Sequence, residues 1–242
     1  MNRFTVIMIV LAIGLIGFIA VNRNDPIEAG QPSSHVQGEG TSGVTLLEYG
    51  DFQCAACAQY YPVINAVKEA YGDEISFQYR HFPIINIHPN AIASHRAAEA
   101  AGKQGKFFEM HDLLFERQES WSESTSASQI FDGYASELEL NMDQYREDYG
   151  SSETLATINA DRNLGEADQV TGTPSFYING QKIDNPRDPE AFFEIIDAAI
   201  LEETGEPSQN SPRTNSDNVD EGELPEGVDL SDIVPTEESE TE

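Results

Sequence analysis

The run from Val44 to Tyr79, "VTLLEYGDFQCAACAQYYPVINAVKEAYGDEISFQY", constrains this chain more than any other. Its first six residues are apolar on both faces except at Glu48, which predicts a central strand covered on two sides. Tyr60, Ile64, Val67 and Tyr71 then recur at helical spacing, Gly72 marks the stop, and Pro62 inside the run predicts a kink. "ISFQY" alternates Ile75, Phe77 and Tyr79 against Ser76 and Gln78, a second strand. Strand, helix and strand within so short a span form a βαβ unit, whose crossover is right-handed almost without exception.

The only two cysteines of the 242 residues, Cys54 and Cys57, stand where this helix begins. Three uses compete for them. A crosslink over so short a loop would add only about 2 kcal/mol by the chain-entropy relation, and a staple between distant segments would do more. A metal site would need two further ligands. His81, His88 and His95 follow a different strand and are read as caps and packing residues, so no metal is assigned. Redox chemistry fits the placement best. A helix N-terminus turns free N–H groups and its positive dipole end toward the first sulfur, favouring the thiolate. The second sulfur, one turn further in, is within reach to form or resolve a mixed disulfide.

Beyond Tyr79 the pattern turns helical from about Pro89 to Gln169. "PNAIASHRAAEAAG" ends at Gly102, and "KFFEMHDLLFE" puts Phe107, Phe108, His111, Leu114 and Phe115 on one face. Strands return in "PSFYINGQKI", where Asn179-Gly180 predicts a two-residue hairpin turn. A last helix opens with Asp188 as N-cap and Pro189 at its first position, and its stripe is Phe192, Ile195, Ile196, Ala199 and Ile200. The expected organisation is one α/β domain over residues 44–202, with a helical insertion over about 84–169.

Both ends differ from this middle. Phe4 to Val21 has Thr5 as its sole polar residue, close to the roughly 20 apolar residues that span a bilayer core. Residues 1–21 are therefore expected to be a transmembrane anchor or, alternatively, a cleaved signal, although no clear cleavage site follows. Either places the domain outside the cytoplasm, in a bacterium. Residues 22–43 are rich in Gly, Ser and Pro and read as a linker. Residues 203–242 read as an acidic disordered tail, since from Glu202 onward fourteen carboxylates face one arginine. The formal net charge of −30 argues against binding a phosphate backbone, so no nucleic-acid partner is expected.

Taken together, "LLEYGDFQCAAC", "YRHFP", "HPNAIASHRAAEAAGKQGKFFEMHDLLFE" and "VTGTPSFYINGQKI" resemble, in order, the thioredoxin superfamily and its DsbA-like disulfide-oxidoreductase branch. The resemblance covers nearly all of residues 44–200. It implies a thioredoxin-like fold: a central mixed sheet flanked by helices, with a helical insertion before the C-terminal hairpin and helix. It also implies that Pro174 is a cis-proline beside the cysteines, a geometry that costs little only for proline. With Thr173 it would leave backbone groups free to pair with an extended substrate chain. Glu48 would relay protons to and from Cys57, a buried carboxyl tending to hold its proton; a surface-facing Glu48 is the alternative. Between the sulfurs, Ala55-Ala56 depart from relatives that carry histidine or proline there, which leaves the direction of electron flow open.

The function expected from this is extracytoplasmic thiol–disulfide exchange that forms disulfides in exported proteins, with Cys54 as nucleophile and Cys57 as resolving thiol. No cofactor beyond the Cys54–Cys57 disulfide is called for. A membrane partner of the DsbB or vitamin K epoxide reductase type would reoxidise the pair, and a monomer is expected. The alternatives are a reductant serving cytochrome maturation, an isomerase, or a binding module that kept the fold without the chemistry.

Overall fold

The computed structural model describes residues 30–212. The apolar segment 1–21 and residues 213–242 of the acidic stretch lie outside them. Among the described residues no helix is long and apolar enough to cross a membrane.

The βαβ unit organises the molecule. Strand β2 (Thr45–Gly50) leads into helix α1 (Ala55–Tyr71), which returns the chain to β3 (Ser76–His81), parallel to β2. Gly72 ends α1 at φ 53, a backbone region that L side chains rarely adopt. On its other edge β2 pairs antiparallel with β4 (Ser175–Ile178), which continues through a tight turn into β5 (Gln181–Ile183). Asn179 and Gly180 carry that turn with φ of 49 and 83, the left-handed pair that a two-residue hairpin requires. A short strand β1 (His35–Gln37) pairs antiparallel with β3 and completes a five-stranded sheet of order β1-β3-β2-β4-β5.

The two faces of β2 serve two apolar clusters. Leu46 joins the main core with Ile64, Val67, Phe77, Phe176 and Phe192, whereas Tyr49 and Leu47 pack with Phe82, Val170 and Tyr177. Because side chains alternate along a strand, Glu48 shares the Leu46 face and points toward the main core.

Between β3 and β4 lies the helical insertion: α2 (Ala91–Gly102), α3 (Phe107–Glu116), α4 (Gln118–Trp121), α5 (Ala127–Glu137), α6 (Met142–Gly150) and α7 (Ser152–Ala167). Its hub is α2, a run of buried alanines small enough for α3, α5, α6 and α7 all to approach. Helix α8 (Pro189–Thr204) packs on α1, and Asp188 caps it by accepting a hydrogen bond from the Ala191 N–H. This is the mixed α/β sheet with helical insertion that the resemblance implies.

Two boundaries differ from the reading of the sequence. The stretch read as linker supplies β1. It leaves no sequence signal because it is three residues long and its one apolar residue, Val36, is 48% exposed. Polar tethers hold it instead: Asp161, fully buried, accepts from Ser33 N, Ser33 Oγ, Arg80 Nη1 and His81 N. At the other end, residues 206–211 pack back on the domain. The Glu74 carboxylate accepts from Ser208 Oγ and the Gln209 and Asn210 N–H groups, and Asn210 Nδ2 donates to the Tyr71 carbonyl. Hydrogen bonds to a fixed carboxylate order this segment without apolar burial, which composition cannot signal.

Candidate active site

Cys54 occupies the N-cap position of α1 and is partly exposed; Cys57, in the first turn, is buried, and both are free thiols. This asymmetry separates their chemistry. The Cys54 pKa is lowered to about 5, first by a hydrogen bond from Cys57. Burial opposes this shift, while Thr173 and the backbone N–H groups of Cys57 and Ala56 support it. These are the free donors of a helix start, aimed at the group best able to use them. Burial drives the Cys57 thiol the other way, well above its ordinary range, and the Glu48 carboxyl adds to the effect.

Opposite Cys54, the Thr173–Pro174 peptide bond is cis, at the approach to β4. The protonated Cys54 thiol points at the Thr173 carbonyl oxygen, 3.4 Å away. Thr173 Oγ1 is buried without an ordinary hydrogen-bond partner, free to turn to a Cys54 thiolate. Pro174 is buried, and its carbonyl accepts from Asn185 Nδ2 at 2.8 Å, which fixes the loop from the far side.

Glu48 is 4% exposed and lies between Tyr79 of β3 and Phe176 of β4 in the sheet register. Burial raises its pKa to about 8; Lys68 works against this and the charge of Cys54 adds to it. The alternative of a surface-facing Glu48 is thereby excluded. Near neutral pH it carries a proton, on the face of β2 that meets Cys57.

The insertion braces the cysteine loop through side chains that carry no motif. Gln118 Nε2 donates to the carbonyls of Phe52 and Cys54. Gln53 Nε2 donates to Ser122 O, while its Oε1 accepts from Asn90 N at 2.7 Å. Asp51, fully buried, accepts from Gln53 N, Ile84 N and His88 Nδ1. Burial works against the Asp51 charge, yet His95, 3.7 Å away, and hydrogen bonds from Ile84 and His88 more than offset it and bring the pKa down to about 2. Gln118 and Asn90 escape sequence reasoning because each meets the cysteine loop from more than thirty residues away, and Asn185 because it reaches Pro174 O across an irregular loop and carries no motif.

Comparison with known proteins agrees with this geometry. The family description Thioredoxin matches residues 30–198. Among curated proteins, the Na(+)/H(+) antiporter NhaA 1 of Salinispora arenicola is 38% identical over 168 residues, covering 69% of this chain and 24% of that protein. The chain thus spans about a quarter of the length of such relatives, and ion exchange is named for them as whole proteins. Among solved structures, alpha-DsbA1 of Wolbachia pipientis matches at a TM-score of 0.62 and 19% identity, covering 73% of this chain and 95% of that one. Oxidised BdbD of Bacillus subtilis matches at a TM-score of 0.62 and 20% identity, covering 71% and 97%. At these identities the likeness concerns the fold.

Proposed function

Since the chain belongs to the thioredoxin family, we propose that it is an extracytoplasmic thiol–disulfide oxidoreductase that forms disulfides in exported proteins. One observation carries this reading: a partly exposed Cys54 at the helix N-cap, with buried Cys57 one turn further in, lies 3.4 Å from the carbonyl oxygen of Thr173 at the cis Thr173–Pro174 bond. In the oxidised enzyme a client thiolate attacks Cys54 Sγ. Its electron pair forms the mixed disulfide, and the Cys54–Cys57 bond breaks with its electrons going to Cys57. Cys57 holds a negative charge poorly and takes a proton; Glu48, protonated up to about pH 8, is the group placed to give it. A second client thiolate then attacks the client sulfur of the mixed disulfide and expels Cys54 as a stable thiolate. The client loses two electrons, its two thiol protons go to solvent, and the enzyme is left reduced, with Cys57 as thiol, Cys54 as thiolate and Glu48 reprotonated from solvent.

The direction follows from leaving-group chemistry. A lower thiol pKa makes a better leaving sulfur and a more stable reduced form, hence a stronger oxidant. Ala55 and Ala56 contribute no side-chain donor, so the low Cys54 pKa rests on Cys57, Thr173 and the helix end. Thr173 and Pro174 form the docking edge for an extended client segment. Reoxidation falls to a membrane redox partner of the DsbB or vitamin K epoxide reductase type, which the apolar segment 1–21 would keep close as an anchor.

The test uses the full chain. With a client that carries a disulfide, the Cys54 thiolate of Cys57→Ala attacks it and accumulates an adduct that dithiothreitol releases, whereas Cys54→Ala forms none. With a reduced, unfolded client, the oxidised wild type forms the client disulfide and Cys54→Ala does not. Oxidation at the wild-type rate by Cys54→Ala would refute the assignment.

A further inference from the structure

Three of the five histidines, His35, His81 and His95, are joined through Glu99 in one hydrogen-bonded string outside the reaction just described, and His88 lies beyond it across Asp51. Glu99 Oε1 lies 2.5 Å from His35 Nε2 and 2.6 Å from His81 Nε2. His81 Nδ1 lies 2.6 Å from His95 Nδ1, and His95 Nε2 is 3.7 Å from Asp51 Oδ1, whose carboxylate also holds His88. The string joins β1, β3 and α2, so it draws its groups from positions 35, 81 and 99, too far apart for any sequence motif to show.

We propose that His35, His81 and Glu99 form a binding site for a divalent transition-metal ion of the zinc type, remote in function from the cysteine pair. Three observations support it. First, two imidazole nitrogens and one carboxylate oxygen, all within 4.8 Å of one another, are a ligand set that zinc takes with a fourth position left for water. Zinc–ligand bonds of about 2.0–2.2 Å at tetrahedral angles would require donor atoms about 3.3–3.5 Å apart. Each ring nitrogen therefore needs to move away from Glu99 Oε1 by somewhat under an ångström, with the two nitrogens, within 4.8 Å of each other, adjusting to the same spacing.

Second, the outer shell is already built. A ligating histidine nearly always hands its other ring nitrogen to an acceptor, which fixes the tautomer. For His81 that acceptor is His95, backed by Asp51. His95 is fully buried, so its ring is held in place by packing. His35 is oriented differently: its ring lies flat on Phe107, with centroids 3.4 Å apart.

Third, the Glu99 carboxylate is buried, with the residue 5% exposed, and among the described residues its only ion-pair partners are these two histidines. Coordination through both Nε2 atoms would leave no N–H there, and the cation would replace those donors as partner to the carboxylate. His35, with 17% of its side chain exposed, gives the ion an entry from the sheet edge. The ion would clip β1 to β3 and α2.

The full chain is first oxidised, so that Cys54 and Cys57 cannot ligate, and is then titrated with Zn²⁺ against a chromophoric chelator at pH 7.5. One equivalent should bind, with affinity at least 100-fold weaker in His35→Ala and in Glu99→Gln. It should weaken in the wild type as pH falls to 5.5, where protons compete for the imidazoles. Zn²⁺ should also raise the wild-type Tm and leave that of His35→Ala unmoved. Co²⁺ added to the wild type should give the visible bands of a four-coordinate site, a readout that needs no variant to fold. Absence of stoichiometric binding, equal affinity in His35→Ala, or six-coordinate cobalt would each overturn the proposal.

Discussion

Replacing Cys57 tests what makes Cys54 acidic. The hydrogen bond from Cys57 does most to lower the Cys54 pKa to about 5. A hydrogen bond to a charged group is worth about 1.5–3 kcal/mol, or about one to two pKa units. Cys54 is partly exposed, and solvent screening favours the lower end. Cys57→Ala should therefore raise the Cys54 pKa by about one unit, while Cys57→Ser, which keeps a donor, should stay near the wild type. At pH 5.5 the thiolate fraction would fall from about three quarters to about one quarter in the alanine variant. The assay is the ultraviolet absorbance of the thiolate against pH, checked by iodoacetamide alkylation rates over the same range. If the alanine variant titrates with the wild type, or the serine variant shifts as far as the alanine, the helix end and Thr173 set the acidity and the reasoning fails.

Glu48→Gln should stabilise the protein at pH 8 and change little at pH 4. The folded-state pKa, raised by burial from 4.5 to about 8, means that the native protein keeps a proton the unfolded chain has released. Wild-type stability thus falls as pH rises through that window, by an upper limit of about 5 kcal/mol; guanidinium unfolding at both pH values measures it. Gly50→Ala should cost about 1–3 kcal/mol, because its Cβ would fall 2.5 Å from the buried Tyr79 ring; a shift in the denaturation midpoint checks this. Asp161→Ala should cost about 3–5 kcal/mol, since it strips Arg80 of its buried partner and leaves the Ser33 and His81 N–H groups without theirs. Thermal unfolding, with hydrogen exchange at β1, would show whether the strand loosens first.

What is legible in the sequence is whatever acts locally. The Cys54–Cys57 spacing, the Gly72 stop, the Asn179-Gly180 turn and the Asp188-Pro189 helix start are each short patterns with a local backbone cause. What stays hidden is held by single polar contacts over long separations. Strand β1 has no apolar face of its own and depends on Asp161, more than a hundred residues away. Gln118 and Asn90 brace the cysteine loop through a few backbone and amide contacts, and residues 206–211 dock through polar contacts to Glu74, Tyr71 and Asp197. His81 and His95, read as packing residues, do pack, but into a string whose other members, His35 and Glu99, no spacing rule connects to them.

A stabilised Cys54 thiolate is what makes the pair an oxidant. The most direct test is the Cys54–Cys57 potential, read by equilibrating the full chain with glutathione buffers at pH 7. Thioredoxin, with a thiol pKa near 7, has a potential of about −270 mV; DsbA, with a pKa near 3.5, about −120 mV. A Cys54 pKa of about 5 lies between them and predicts a value on the order of −200 mV. A potential at or below about −270 mV would contradict it and make the protein a reductant.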